Sequence, residues 1–167
     1  PIDILKEGVK KLVPVLSDSR EAGILAAQSI MTTDTVRKEC AVEMELSGAK
    51  VTIGGMCKGS GMIHPNMCTM LGFVTTDVQI TKELLQEALS EIVQDTYNMI
   101  SVDGDTSTND TVLVLANGMA ENPLISEKNQ DYETFKEALL YVNTSLAKQI
   151  AADGEGATAL FEVKITG

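Results

Sequence analysis

The most informative stretch of the sequence covers residues 58–71 and reads KGSGMIHPNMCTML. Its first half is a glycine-rich loop, in which Gly59 and Gly61 let the backbone approach a ligand or present amide donors to it. Its second half runs through a Pro-Asn pair into an apolar strand that opens with a hydroxyl residue, Thr69. At the loop entrance, Lys58 can hold a carboxylate or activate a nucleophile. Taken alone, this pattern favours a plain connection between strands, because structural loops outnumber functional ones.

The loop matches neither of the two common glycine-rich nucleotide motifs. A P-loop requires glycine followed by Lys and then Ser or Thr, whereas the order here is Lys58-Gly59-Ser60. A dinucleotide fingerprint has a third glycine at the position that His64 occupies here. The segment therefore does not predict a nucleotide site.

The sequence on both sides of this stretch predicts helices that alternate with groups of strands. Apolar residues recur at helical spacing, or alternate with polar residues at strand spacing. The predicted helices cover residues 3–13, 18–30, 81–93 and 132–150, and the predicted strands cover 42–46, 51–53, 69–76, 97–102, 111–116 and 161–165. Helices packed on sheets, an α+β fold, is the class that this order favours. The length suits a single domain over residues 1–167.

Composition excludes several classes of function. The chain has 13 basic and 24 acidic residues, a net charge of −11, which disfavours binding to nucleic acids and to anionic membranes. Its apolar runs, such as residues 111–116, are too short to span a bilayer. The three cysteines form no Cys-x-x-Cys pair, which argues against a disulfide framework or a thiolate zinc site and favours a reducing cytoplasm.

A polar loop over residues 103–110 resembles a calcium-binding loop only at first sight. An EF-hand requires glycine at its sixth position and glutamate at its twelfth, where this sequence has Thr108 and Val114. We therefore predict no metal site. Instead, we expect the Asp, Ser, Thr and Asn side chains to satisfy backbone donors locally, beside the functional site.

The stretch over residues 58–71 closely resembles the self-cleavage segment of the ornithine acetyltransferase family. Four further stretches resemble blocks of that family in the right order: AQSIMTTDT over 27–35, TTD over 75–77, VDGDTSTND over 102–110 and DGEGAT over 153–158. The resemblance extends over essentially the whole chain. Several long matching stretches in the same order are a poor fit to chance.

The resemblance implies an αββα-like sandwich of two sheets flanked by helices, as in self-cleaving enzymes with an N-terminal nucleophile. It implies cleavage between Cys68 and Thr69, which ends an α chain at residue 68 and starts a β chain at residue 69. The implied activity is acetyl transfer from N2-acetylornithine to glutamate during arginine biosynthesis, through an acetyl ester on Thr69. No cofactor is implied, although acetyl-coenzyme A is an additional candidate substrate, and two α and two β chains are expected to assemble in the cytoplasm.

Two further residues match the substrate pocket of the family. The resemblance implies that Lys58 binds substrate or assists catalysis and that Glu155 faces the ornithine ammonium. Cys68 replaces the alanine that usually precedes the cleaved bond, and His64 replaces a small apolar residue and is expected on a surface loop. The family's upstream oxyanion pair and its C-terminal segment are absent, so we expect this chain to be part of a larger enzyme. A related self-cleaving aminopeptidase or amidohydrolase and a non-catalytic module are the alternative interpretations.

Overall fold

The computed structural model describes residues 1–64, 70–105 and 107–165 of the chain. They contain four α-helices and four β-strands. In chain order these are α1 Ile2–Leu12, α2 Arg20–Ser29, β1 Lys38–Leu46, β2 Ala49–Lys58, β3 Leu71–Thr76, α3 Lys82–Gln94, β4 Thr111–Ala116 and α4 Gln130–Ala152. Two short 3-10 helices cover Val13–Val15 and Tyr97–Met99.

The four strands form one sheet in the order β1-β2-β3-β4. Strands β1 and β2 are an antiparallel hairpin whose tight turn places Ser47 and Gly48 at positive φ, the geometry that matches the twist of paired strands. Strand β3 runs antiparallel to β2, and Lys58 at the end of β2 lies opposite Leu71 at the start of β3. Strand β4 runs parallel to β3, which the intervening helix α3 makes possible.

One face of the sheet is covered by α4, which crosses β1 and β2 with α3 beside it. Helix α4 approaches the sheet closely at Gly55, where an added Cβ would lie 2.9 Å from Leu146 and 3.2 Å from Val142. Apolar residues of both layers are buried here, including Val51, Ile53, Val74, Ile92, Phe135, Leu139, Val142, Leu146 and Ile150. This single layer of packing supplies the hydrophobic core.

The opposite face of the sheet is largely open among the described residues. Alternation along β4 places Leu113 and Leu115 on this open face, where they are 46% and 62% exposed. Helix α2 buries only Ala27, and α1 buries no side chain.

The α+β class, with helices flanking a sheet, is confirmed. The described residues form one sheet, so the second sheet of the expected sandwich is not found among them. In the same ranges, none of the helices has both the length and the apolar character needed to cross a bilayer.

Two predicted strands are wrong. Residues 97–102 begin with a 3-10 turn rather than a strand, and Tyr97 points into the core, where its hydroxyl lies 3.0 Å from Asn143 Oδ1 of α4. Residues 161–165 are not a strand because neither edge strand, β1 or β4, pairs with them, and Phe161 is 86% exposed. An alternating sequence pattern stabilises a strand only where a partner supplies the hydrogen bonds.

The other predicted elements are present, but β1 begins four residues before its predicted start and β2 continues for five residues, 54–58, that were predicted as loop. The predicted helices are confirmed within two residues at each end. The capping residue of α2 is Ser19, whose hydroxyl accepts the Ala22 amide at 3.1 Å, so the helix begins two residues after its predicted start at 18. Helix α3 begins one residue after its predicted start at 81, and the Thr81 side chain makes no capping hydrogen bond. Such shifts of one or two residues are typical of helix ends.

Candidate functional site

Lys58 ends strand β2 at the point where the sheet meets the glycine-rich loop. The residue is 9% exposed, and its Nζ donates a hydrogen bond to Thr32 Oγ1 at 3.1 Å. Within the described part of the chain, no carboxylate lies within 4 Å of this ammonium. A nearly buried cation without an ion-pair partner is suited to binding an anionic group.

Glu155 follows α4 and lies against the same loop. Its backbone amide donates to the carbonyl of Ser60 at 2.7 Å, and its carboxyl carbon would be 2.7 Å from a Cβ added at Gly61. Only glycine at position 61 allows this close approach. The structure therefore brings the two sequence-predicted binding residues to one loop, which Lys58 opens and against which Glu155 packs at Ser60 and Gly61, without an ion pair between them.

A buried ionic cluster lies behind this loop. Lys38 Nζ donates to Asp34 Oδ1 and to Asp153 Oδ2, both at 2.6 Å. Burial acts to raise the pKa of Asp34 and of Asp153, but hydrogen bonds from backbone amides and from the Lys38 ammonium lower both pKa values overall. Both carboxylates are therefore charged at neutral pH.

Two aspartates of the polar loop hold the chain on either side of residues 65–69. Asp103 accepts the amides of Met62 at 2.5 Å and Ile63 at 2.9 Å, upstream of that segment. Asp110 accepts the amide of Met70 at 2.9 Å, directly downstream of it. Within the loop, Asp103 also accepts the amide of Asp105 and Ser107 accepts that of Asn109, so the prediction that these side chains satisfy local backbone donors is confirmed.

The two carboxyl groups are shifted in opposite directions. Burial raises the pKa of Asp110, although the Met70 amide and the charge of Lys58 act against this. Burial also acts to raise the pKa of Asp103, but hydrogen bonds from backbone amides, including those of Met62 and Ile63, lower that pKa overall.

The predicted nucleophile Thr69 and the preceding residue Cys68 lie outside the described residues, so the cleavage site stays a prediction. His64 is exposed, as expected for a surface loop, and its Nδ1 lies 3.2 Å from Ser101 Oγ. Burial raises the pKa of Cys57 to about 12, so this thiol is protonated at neutral pH and is not a nucleophile.

Glu155 also borders a cleft of about 580 Å³ whose walls come from residues 95–102 and 144–163. Lys58 does not line this cleft, so the cleft is distinct from the loop where the two predicted binding residues meet. In residues 1–64, 70–105 and 107–165, no three His, Cys, Asp or Glu side chains gather as metal ligands would.

Sequence reasoning missed four residues of this region: Thr32, Asp34, Lys38 and Asp153. One signal was available for Lys38, because the alternation of Leu46, Met44 and Val42 extends backwards to place it on the buried face of β1. A charged residue at an inward position predicts a buried partner. The partners themselves could not be identified without the fold.

The chain is similar to known proteins along its whole length. A family model described as the ArgJ family matches residues 1–167. The chain is 57% identical to "Arginine biosynthesis bifunctional protein ArgJ 1" of Clostridium acetobutylicum and 55% identical to "Arginine biosynthesis bifunctional protein ArgJ" of Symbiobacterium thermophilum. It is covered completely in both comparisons, and spans 40% and 41% of those proteins.

A solved structure is also similar, the crystal structure of the arginine biosynthesis bifunctional protein argJ from Bacillus halodurans. The TM-score is 0.52 at 56% sequence identity, over 54% of this chain and 42% of that one. The chain thus spans about two fifths of the length of the curated relatives that it matches. A match over every residue, together with relatives above 50% identity, leads to one conclusion: the chain belongs to the ArgJ family.

Proposed function

We propose that the protein carries an acetyl group from N2-acetylornithine to glutamate in arginine biosynthesis, through an ester on Thr69. The observation that carries this proposal is the convergence of Lys58 and Glu155 on one short loop, since a cation and an anion together suit an amino-acid substrate. The printed names of the relatives, arginine biosynthesis bifunctional proteins, support the pathway.

The first chemical step is self-cleavage between Cys68 and Thr69. The Thr69 hydroxyl attacks the carbonyl carbon of Cys68, the C–N bond breaks, and the nitrogen takes the hydroxyl proton to become a free amine. Water then hydrolyses the resulting ester, which releases the Cys68 carboxylate and restores the hydroxyl. The new α-amine has a reference pKa of about 7.7–8.0, so it is a suitable general base at neutral pH.

The second step is acetyl transfer. The Thr69 hydroxyl attacks the acetyl carbonyl of N2-acetylornithine while the Thr69 α-amine takes its proton and passes it to the departing amine of ornithine. The enzyme then holds the acetyl group as an ester. The amine of glutamate attacks that ester, and N-acetylglutamate leaves with the hydroxyl regenerated.

Three side chains, those of Lys58, Thr69 and Glu155, are assigned to substrate binding. Lys58 pairs with the carboxylate of the substrate or assists the Thr69 amine, and Thr32 orients the Lys58 ammonium through the hydrogen bond at 3.1 Å. Glu155 pairs with the side-chain ammonium of ornithine, a charge-assisted contact. Leu71, which lies opposite Lys58 in the sheet, is two residues after Thr69 in the sequence.

The wider assignments follow the same proposal. The names of the relatives call them bifunctional without naming a second reaction, and we propose acetyl-coenzyme A as a second acetyl donor. We further propose that the cleaved α and β chains assemble as two copies of each, in the cytoplasm, and that the protein uses no cofactor.

The decisive experiment compares Thr69→Ala with Thr75→Ala in the full-length protein. Thr75 is an exposed hydroxyl residue of β3 and serves as the matched control. We expect the parent protein and Thr75→Ala to separate into two pieces on denaturing electrophoresis, with a new terminus at residue 69. Thr69→Ala should stay in one piece and lose acetyl transfer by about 10⁴-fold or more. A Thr69→Ala protein that still splits before residue 69 would refute the assignment.

The acceptor separates this proposal from a related self-cleaving hydrolase. With N2-acetylornithine as donor, added glutamate should yield N-acetylglutamate at a rate above that of acetate release. Acetate release that is faster than transfer and independent of glutamate would favour the hydrolase. A cleaved protein that acts on neither acceptor would favour the non-catalytic module.

A further inference from the structure

Lys38 is a fully buried ammonium that the proposed chemistry does not use. Its Nζ donates to Asp34 and Asp153 at 2.6 Å each, and the carbonyl of Val36 lies at 3.4 Å. The side chains of Lys38 and Asp34 have no exposed surface, and that of Asp153 is 6% exposed. All three donor positions of the ammonium are therefore directed to protein acceptors.

Asp34 connects this cluster to the surroundings of Lys58. Besides Lys38, it accepts the backbone amide of Gly59 at 2.7 Å and that of Thr32 at 3.1 Å. Gly59 is the residue after Lys58, and Thr32 accepts a hydrogen bond from the Lys58 ammonium. The Asp34 carboxylate thus fixes the backbone beside Lys58. It also fixes the backbone of Thr32, whose hydroxyl orients the Lys58 side chain.

Asp153 connects the cluster to Glu155. It accepts the amide of Thr35 at 2.9 Å and also the Thr35 hydroxyl, which ties the end of α4 to the start of β1. One residue separates Asp153 from Glu155, whose amide is bonded to the carbonyl of Ser60. The cluster therefore joins three segments, residues 32–35, 58–60 and 153–155, which contain every substrate-binding group assigned above except Thr69.

A buried ionic cluster is a costly way to stabilise a fold. Removing each ion from water costs several kcal/mol, and a well-packed apolar replacement is often neutral or more stable. Apolar packing is not directional. Directed hydrogen bonds, in contrast, can fix the relative positions of three separate backbone segments. The contacts of this cluster are directed to those segments.

We propose that the cluster of Lys38, Asp34 and Asp153 positions Lys58 and Glu155 relative to each other for binding of the acetyl donor. Lys38 is the central positioning residue, and it acts through the two aspartates without touching the substrate. This inference rests on the proposed function, in which both positioned residues bind N2-acetylornithine.

The test compares Lys38→Met with Lys50→Met in the full-length cleaved enzyme. Lys50 forms an exposed ion pair with Glu43 at the other end of β2, eight residues or about 26 Å from Lys58. Lys38→Met should raise KM for N2-acetylornithine about tenfold or more, with a smaller change in kcat per cleaved enzyme. Lys50→Met should leave both constants unchanged.

Asp153→Asn is the milder variant in case Lys38→Met does not fold, since the amide keeps its shape and can still accept from Thr35. It should raise KM in the same direction. A lower melting temperature with unchanged KM in every variant that folds would overturn the proposal, because a purely structural cluster changes the amount of active enzyme and not the affinity for its donor.

Hydrogen exchange distinguishes failure of this inference from failure of the proposed function. Lys38→Met, or Asp153→Asn if the former does not fold, should speed exchange at residues 58–61 and 153–156 while β3 stays protected. If the parent enzyme transfers no acetyl group, the proposed function fails, and the exchange result alone decides whether the cluster positions these segments. Unchanged exchange there would overturn the cluster's role whatever the activity.

Discussion

The two faces of the four-stranded sheet differ in what covers them, although the same strands form both. On one face, Val74 and Ile53 are fully buried beneath α4. On the other, Leu113 and Leu115 remain exposed and α2 buries only Ala27. The chain also spans about two fifths of the length of its curated relatives. The sheet is therefore well packed on one side, while its other side still presents an apolar surface.

The predicted site lies at the end of the packed face, not in the middle of either face. Lys58 ends β2, and Lys38 begins the neighbouring strand β1 opposite Cys57. The packed face holds the loop that follows Lys58, because Glu155, three residues after the end of α4, donates its amide to the carbonyl of Ser60. The packed face therefore supports the residues proposed to bind substrate, whereas the open face does not support them.

The largest expected effect comes from opening a cavity on the packed face. Leu146 of α4 is fully buried, and Leu146→Ala should lower the free energy of unfolding by about 2–5 kcal/mol. The same change at the exposed Leu115 should cost less than about 0.5 kcal/mol in the 167-residue chain. Denaturant unfolding of both variants measures the difference. A comparable loss at Leu115 would contradict the exposure of the open face.

A smaller effect is expected from adding one methyl group to each face of β2. Gly55 lies under α4, where the new Cβ would meet Leu146 at 2.9 Å, so Gly55→Ala should destabilise the protein by about 1–3 kcal/mol. Gly54 has no heavy atom within 4 Å of such a Cβ. Gly54→Ala should be neutral, or stabilise by about 0.4–1 kcal/mol by restricting the unfolded chain.

Melting temperatures of the two adjacent variants provide the measurement, and each serves as the control for the other. Equal destabilisation by both alanines would mean that the open face is as crowded as the packed one. That result would remove the distinction between the faces.

The fold was predictable from sequence where periodicity and burial agree. The alternation of Val42, Met44 and Leu46 predicted a half-buried strand, and β1 has that pattern over its full length. The same kind of alternation in Phe161, Val163 and Ile165 gave a wrong strand, because a strand requires a hydrogen-bonding partner that local sequence does not specify. Pairing order, such as the parallel contact of β4 with β3, is likewise absent from local patterns.

The site was predictable only in part. The binding roles of Lys58 and Glu155 came from family resemblance, since nothing in their spacing shows that Glu155 packs against Gly61 of the loop that Lys58 opens. The contacts of Asp103 with Met62 and Ile63 join residues about forty positions apart, so only the folded chain reveals them. The sequence thus predicted which residues act on the substrate, whereas the fold determined which residues hold them in place.

The smallest effect is a loss of stability in acid, which we expect from a buried carboxylate at the end of the packed face. Asp34 has its pKa lowered in the folded protein by amide and Lys38 hydrogen bonds that outweigh burial, whereas an unfolded carboxyl titrates at about 3.9. Its stabilisation is therefore complete above the unfolded pKa and is lost as pH falls through the lower folded pKa. Glu43, in an exposed pair with Lys50, lacks this burial.

Unfolding midpoints measured from about pH 6 to pH 2.5 test this difference. The parent protein should lose stability progressively below about pH 4, and Asp34→Asn should show a flatter dependence in that range because it has one fewer depressed carboxyl group to protonate. Glu43→Gln should follow the parent curve, since exposed ion pairs contribute little. An Asp34→Asn curve parallel to that of the parent would mean that acid sensitivity arises elsewhere, and Asp34 would then contribute no pH-dependent stability.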